Sequence, residues 1–112
     1  MSEMTEQEKS RALMMLGLCL RAGYAICGTE LICNALKTGK KVPLLVIEAS
    51  DTSQNTHKRI SDRCAFYKTE HIRIEASSSE LGKALGKTSL IAAVGITDDG
   101  FRKAIKTKLN VN

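Results

Sequence analysis

Tryptophan is absent, and the aromatic side chains number only four: Tyr24, Phe66, Tyr67 and Phe101. A surface that holds single-stranded nucleic acid by stacking bases on aromatic rings is therefore poorly supported. No apolar run approaches the roughly 18–20 residues of a membrane span, so no membrane partner is expected. Residues 1–9 carry three glutamates and one lysine, the wrong charge sign for a signal or transit peptide. A cytoplasmic location is the expectation that follows. The four cysteines, at 19, 27, 33 and 64, form no C-x-x-C pair, and no histidine lies near enough in sequence to complete a zinc knuckle. Cys19 and Cys33 fall in apolar helical stretches, where a free thiol packs as a small hydrophobe. Free cysteines in a reducing compartment are expected. Repeats, linkers and low-complexity segments are lacking as well.

The 112 residues suit one α/β domain spanning 1–112, with 1–4 and 110–112 expected to fray. An apolar content of 43% is enough for one core, and a charged fraction of 26% argues against global disorder. The net charge of +5 favours a polyanionic partner, because the long-range field raises encounter rates with phosphate.

Local patterns give the order of elements. Thr5 and Glu8 form a capping box that opens a helix running to Ala22. Its stretch 12–20 is apolar on almost every face, which predicts a helix with several neighbours. Tyr24–Cys27 reads as a very short strand. Gly28-Thr29 starts a second helix that ends at Gly39, with Leu31, Ile32, Ala35 and Leu36 as its predicted buried stripe. Glu30, Asn34 and Lys37 share the opposite, solvated face. Leu44–Ala49 reads as a strand whose Leu-Leu-Val-Ile run is continuously apolar, as expected of a central strand covered on both sides. Asp51 or Ser53 caps a third helix reaching Tyr67. His71–Glu75 reads as a strand. Ser77 and Glu80 make a second capping box, for a short helix that Gly86 closes. Leu90–Ile96 is a further strand, and Asp98 or Asp99 caps a last helix ending near Leu109. Such αβ alternation predicts a three-layer α/β/α sandwich around a four-stranded sheet, with a mixed arrangement left open by the short first strand.

Motifs for chemistry are tested in turn. Gly82-Lys-Ala-Leu-Gly86-Lys87-Thr88 looks like a phosphate-binding loop but has Leu81 where the pattern needs glycine. It also follows a helix and precedes a strand, at the wrong end of a helix dipole. His57 and His71 have no sequence-local nucleophile and read as surface and strand-edge residues. Asp98-Asp99 reads as a helix cap before a metal-binding pair. No catalytic residue, metal ligand or cofactor is expected. The remaining candidate is the segment from Gly28 to Lys41, where a glycine-led helix start, a carboxylate and nearby lysines suit phosphate and base edges. An ordinary amphipathic helix with a solvated face accounts for the same residues.

Gly28-Thr-Glu-Leu-Ile-Cys-Asn-Ala-Leu-Lys-Thr-Gly39, followed by Leu44-Leu-Val-Ile-Glu-Ala-Ser-Asp51, closely resembles the kink-turn-binding ribosomal protein family. Asp62-Arg-Cys64 and Glu80-Leu-Gly-Lys-Ala-Leu-Gly86 continue the likeness. Leu16-Gly-Leu-Cys-Leu-Arg-Ala-Gly23 and Val94-Gly-Ile-Thr-Asp-Asp-Gly-Phe101 look like the YlxQ-type bacterial branch. The resemblance covers residues 9–109 and implies an α/β/α sandwich that binds sharply bent RNA. It also implies a non-enzymatic, monomeric protein of the translation apparatus, with structured RNA and ribosomal proteins as partners. By position, the implied contacts are Gly28, Thr29, Glu30, Asn34 and Lys37, together with Lys87, Thr88 and Ser89 in a second loop. The chain departs from the better-known RNA binders of the family in three places. It has Glu30-Leu31 where they have Asn-Glu, Asn34 where they have lysine, and a more polar second loop. One rival is a protein-interaction module of the same fold that has lost RNA readout. Another is a small enzyme using a surface thiol or the Asp98-Asp99 pair. The RNA reading requires two stretches about fifty positions apart to meet at one electropositive rim.

Overall fold

Thr5 caps the first helix as its sequence predicts: its hydroxyl accepts from the Glu8 amide, and the Glu8 carboxylate accepts from the Thr5 amide. The computed structural model describes residues 4–109. In chain order the elements are α1 (Glu6–Arg21), β1 (Ala25–Cys27), α2 (Thr29–Thr38), β2 (Leu45–Glu48), α3 (Gln54–Phe66), β3 (Glu70–Arg73), α4 (Ser78–Ala84), β4 (Ala93–Ile96) and α5 (Asp99–Lys108). Ser53 caps α3, Ser77 caps α4 through a full capping box, and Asp98 caps α5. Of the ends expected to fray, Met4 is half-buried against the core, and 1–3 and 110–112 lie outside the described residues.

The strands form one mixed sheet in the order β1-β4-β2-β3. β4 runs antiparallel to both β1 and β2, and β3 runs parallel to β2. Alternation along the central strands separates two apolar layers. Leu45 and Ile47 of β2 join Val94 and Ile96 of β4 on the face covered by α1, α4 and α5. Val46 and Ala93 face the other way, onto Ile32 and Leu36 of α2 and Ile60 and Cys64 of α3. All four β2 residues are buried, Glu48 among them, whereas Leu44, expected to open the strand, is 42% exposed and lies outside it. The three-layer α/β/α sandwich and the mixed sheet expected from the sequence are therefore observed.

Several predicted boundaries and faces are corrected. β4 begins at Ala93 rather than Leu90, and Leu90 is 71% exposed. The cause is a tertiary contact: the Ile91 amide donates to the Ser78 carbonyl, which turns the preceding residues over α4 and away from the sheet. β3 starts one residue earlier than expected and stops at Arg73, because its pairing with β2 runs from Leu45↔Glu70 to Glu48↔Arg73. Leu31, assigned to the buried stripe of α2, is 59% exposed, and Cys33 takes its place inside. The apolar α1 is covered on fewer sides than its sequence implies, since Met14 and Leu18 face solvent.

Carboxylates at the helix starts give the fold a defined acid response. Asp51 accepts from both the hydroxyl and the amide of Ser78, and these bonds hold its carboxyl below the ordinary range. The Ser77 amide, and after it Lys9, lower Glu80 in the same way. A depressed folded pKa contributes stability above the unfolded value and loses it as pH falls through the folded value. The melting temperature is expected to hold from pH 7 to about 5 and to fall below about pH 4. Replacing Asp51→Asn should flatten that fall, as read by circular dichroism melts across a pH series.

Candidate nucleic-acid interface

Gly28 closes β1 and opens α2. Its amide donates to the Ala93 carbonyl at 2.9 Å, its carbonyl accepts from Ile32, and no side chain caps the helix. Its φ of +103° lies where side-chain-bearing residues are strained, while open space surrounds the position a Cβ would take. Backbone conformation, rather than crowding, thus requires glycine here. From this start α2 projects Glu30, Asn34 and Lys37 outward, as the sequence predicts, with Thr29 half-buried beside them.

The second stretch is shaped by α4. Gly86 takes a left-handed conformation (φ +70°), and the Lys87 amide returns to the Gly82 carbonyl at 2.8 Å. The chain then lies so close to the helix that a Cβ on Gly82 would stand 2.3 Å from the Ser89 carbonyl oxygen. Lys87, Thr88 and Ser89 are exposed on this turn. The lysine-threonine pair follows a helix and precedes a strand, as expected, so it does not build a phosphate-binding loop.

Lys87 and Ser89 line an open cleft of about 560 Å³ together with Ile26, Cys27, Leu31 and Lys41. The second stretch reaches α2 only at Leu31, and none of Gly28, Thr29, Glu30, Asn34 or Lys37 lines this cleft. Burial raises the Cys27 thiol pKa, and the Lys87 charge offsets part of that rise. On the other flank of α2, Glu30, Asn34 and Lys37 share a smaller groove of about 160 Å³ with Arg59 and Arg63 of α3. Glu30 is ion-paired to Arg59, whose hydrogen bond and charge hold the Glu30 carboxyl low. The start of α2 therefore lies between a part-apolar cleft carrying Lys87 and a polar groove carrying two arginines. Gly28, Thr29 and Thr88 line neither of them.

Charge pairing decides which basic residues face outward uncompensated. The basic C-terminal helix is largely neutralised: Arg102 and Lys103 bind Asp99, and Lys106 binds Glu70 at 2.6 Å. Lys37, Lys41, Arg63 and Lys87 form no ion pair with an acidic group among the described residues. These four unpaired cations flank α2 and its two grooves, whereas Arg102, Lys103 and Lys106 of α5 are ion-paired.

Sequence reasoning did not single out Arg59 or Arg63 and assigned Leu31 to the core, while Lys41 closed its candidate segment. Arg59 and Arg63 stand four apart on one face of α3, a visible signal, but only the packing of α3 beside α2 turns that face toward the site. The reading of the histidines needs correction. His57 and His71 both turn inward onto Glu48, a fully buried carboxylate in the middle layer. Burial would raise the Glu48 pKa, but hydrogen bonds from Thr52, His57 and His71 outweigh it and hold the carboxyl low.

The enzyme alternative gains nothing from its named groups. Asp98 caps α5 and Asp99 is paired with Arg102 and Lys103. Cys19, Cys33 and Cys64 are buried, and burial lifts the thiols of Cys19 and Cys64 to about 11. Such thiols stay protonated near neutrality and are poor nucleophiles.

A mixed four-stranded sheet between two helical layers defines a small α/β/α fold. The chain belongs to the ribosomal protein L7Ae/L30e/S12e/Gadd45 family, whose profile matches residues 12–106. It is 31% identical to the RNA-binding protein YlxQ of Bacillus subtilis (strain 168) over 96 residues, covering 86% of this chain and 92% of that protein. Its identity to the RNA-binding protein YlxQ of Enterococcus faecium is 32% over 103 residues, covering 92% and 95%. The Giardia lamblia 15.5kD RNA binding protein superposes with a TM-score of 0.75 at 16% identity, covering 98% of this chain and 91% of that one. No helix among the described residues is long and apolar enough to cross a membrane.

Proposed function

We propose that the chain is a non-enzymatic RNA-binding protein of the translation apparatus that holds a structured, kink-turn-like RNA in its bent form. The observation that carries this reading is the convergence of Lys87 and Ser89 with Leu31 of α2 at one cleft. The shared family and the RNA-binding relatives support the same conclusion.

Each part of the rim has a chemical task in this reading. The uncapped amides after Gly28, with the positive end of the α2 dipole, accept a phosphate. Lys37, Lys41 and Lys87 add attraction that weakens as salt rises. Thr29, Thr88 and Ser89 offer hydroxyl hydrogen bonds to backbone or sugar. Leu31 and the apolar wall of the cleft receive an unstacked base. Asn34 stands where related RNA binders have a lysine, and Arg59 and Arg63 bring charge to that groove from α3. When Arg59 moves to a phosphate, Glu30 is released to accept from a guanine amino group.

Calorimetry against a matched set of kink-turn and straight duplex RNAs tests the proposal. A kink-turn is expected to bind at least ten times more tightly than its straightened counterpart at equal salt. Equal, weak and wholly salt-driven binding to every RNA would remove the claim to shape recognition. Protein partners that survive nuclease treatment, with no RNA binding, would transfer the surface to protein docking.

A further inference from the structure

A glutamate in the middle of a buried strand is costly unless its charge is met by partners. Glu48 of β2 is 0% exposed, and three other elements converge on it. His71 comes from the parallel neighbour β3, where it pairs in register with Val46 and so shares the face of Glu48. His57 comes from the first turns of α3. Thr52 comes from the loop between β2 and α3.

The convergence is on one atom. His57 Nδ1 lies 2.9 Å from Glu48 Oε1 and His71 Nε2 lies 2.7 Å from the same oxygen. The other oxygen, Oε2, accepts the Thr52 hydroxyl, lies 2.9 Å from His57 Nδ1 and has the Arg73 guanidinium at 3.7 Å. Two ring nitrogens and one carboxylate oxygen, all within 4.8 Å of one another, thus face a common point.

We propose that Glu48, His57 and His71 form a binding site for one divalent transition-metal ion of the zinc class. Metal–ligand lengths of about 2.0–2.2 Å in a tetrahedral site set the donor atoms roughly 3.3–3.5 Å apart. The two histidine–carboxylate separations therefore need to open by roughly half an ångström around the ion, and the two ring nitrogens already lie within 4.8 Å of each other. Two imidazoles select zinc, cobalt, nickel or copper over magnesium and calcium, which prefer all-oxygen sites. Thr52 and Arg73 hold Oε2, so Oε1 is the ligating atom and the carboxylate is oriented from behind. The His57 side chain is 40% exposed, which gives the ion an entry path and leaves room for water as fourth ligand. The nearby Arg73 charge opposes a second cation, so binding is weaker than at a closed structural site. The site is independent of the RNA reading, although Glu48 pairs across the sheet with Ala93, whose carbonyl holds Gly28.

The test uses the full chain, stripped with a chelator and titrated with zinc or magnesium chloride by calorimetry. One equivalent of zinc is expected to bind and raise the melting temperature, with no response to magnesium. His57→Ala, at a half-exposed position that should leave the fold intact, is expected to lower zinc affinity at least tenfold. His71→Gln should act in the same direction. Cobalt should give ligand-field bands without thiolate charge-transfer absorption, which would place the ion on a cysteine. The proposal is overturned by the absence of saturable binding, by binding undiminished in His57→Ala, or by thiolate absorption.

Discussion

Replacing Lys37 and Lys87 together by glutamate is expected to lower affinity for folded RNA about 100-fold at ~0.1 M salt, and to flatten its salt dependence. Both side chains are exposed and lack an acidic partner among the described residues, so the fold should be unaffected. Each phosphate contact contributes roughly 0.7–0.9 to the slope of log K against log salt, and loss of two flattens it by about 1.6. At ~0.1 M that change alone amounts to about 40-fold, and the two added negative charges repel the backbone further. The matching reversal at Lys103 and Lys106 should change affinity far less, because those lysines already serve Asp99 and Glu70. Binding isotherms at several salt concentrations separate the cases. If the α5 pair has the larger effect, RNA approaches by another face.

The second large effect is expected from one methyl group. In Gly82→Ala the new Cβ would stand 2.3 Å from the Ser89 carbonyl oxygen, a backbone atom that cannot rotate aside. Either α4 shifts or the loop carrying Lys87, Thr88 and Ser89 lifts off the helix. Overpacking of this kind costs about 2–3 kcal/mol, which lowers the melting temperature of a domain this size by roughly 10 °C. RNA binding should fall as well, even at a temperature where the variant is folded, because the lifted loop no longer meets the start of α2. Gly39→Ala is the control. Its φ of +74° is unfavourable for alanine, yet its Cβ meets nothing within 4 Å, so about 1 kcal/mol is lost without displacing the site. Equal RNA binding by the two variants would mean that the position of the Lys87–Ser89 turn does not matter.

Both predictions rest on features of differing visibility in the sequence. Glycine 82 is visible in the chain, but nothing local says that the Ser89 carbonyl rests on it. The solvated face of α2 was legible in full, because helical periodicity places Glu30, Asn34 and Lys37 together whatever the rest of the protein does. The arginines of α3 that complete the groove were legible as a pair and not as a part of the site. Leu31 was misassigned for the same reason: periodicity gives an apolar stripe, and only the sheet's position decides which edge of that stripe is covered.

The histidines show the limit most plainly. Their sequence neighbours offer no partner, and nothing local to Glu48 points to them. Parallel pairing of β2 with β3, and the packing of α3 over both, join groups nine and twenty-three positions apart.

The amino-acid order by itself determined the helices, the two capping boxes, the buried central strand and the alternation that makes an α/β/α sandwich. Those depend on hydrogen bonds and periodicities that span a few residues. Tertiary structure alone decided the β1-β4-β2-β3 order, the length of β4, the meeting of Lys87 and Ser89 with α2, and the burial of Glu48 between two histidines. Each of these is a contact between distant segments, set by how the layers pack, and no local pattern encodes its geometry.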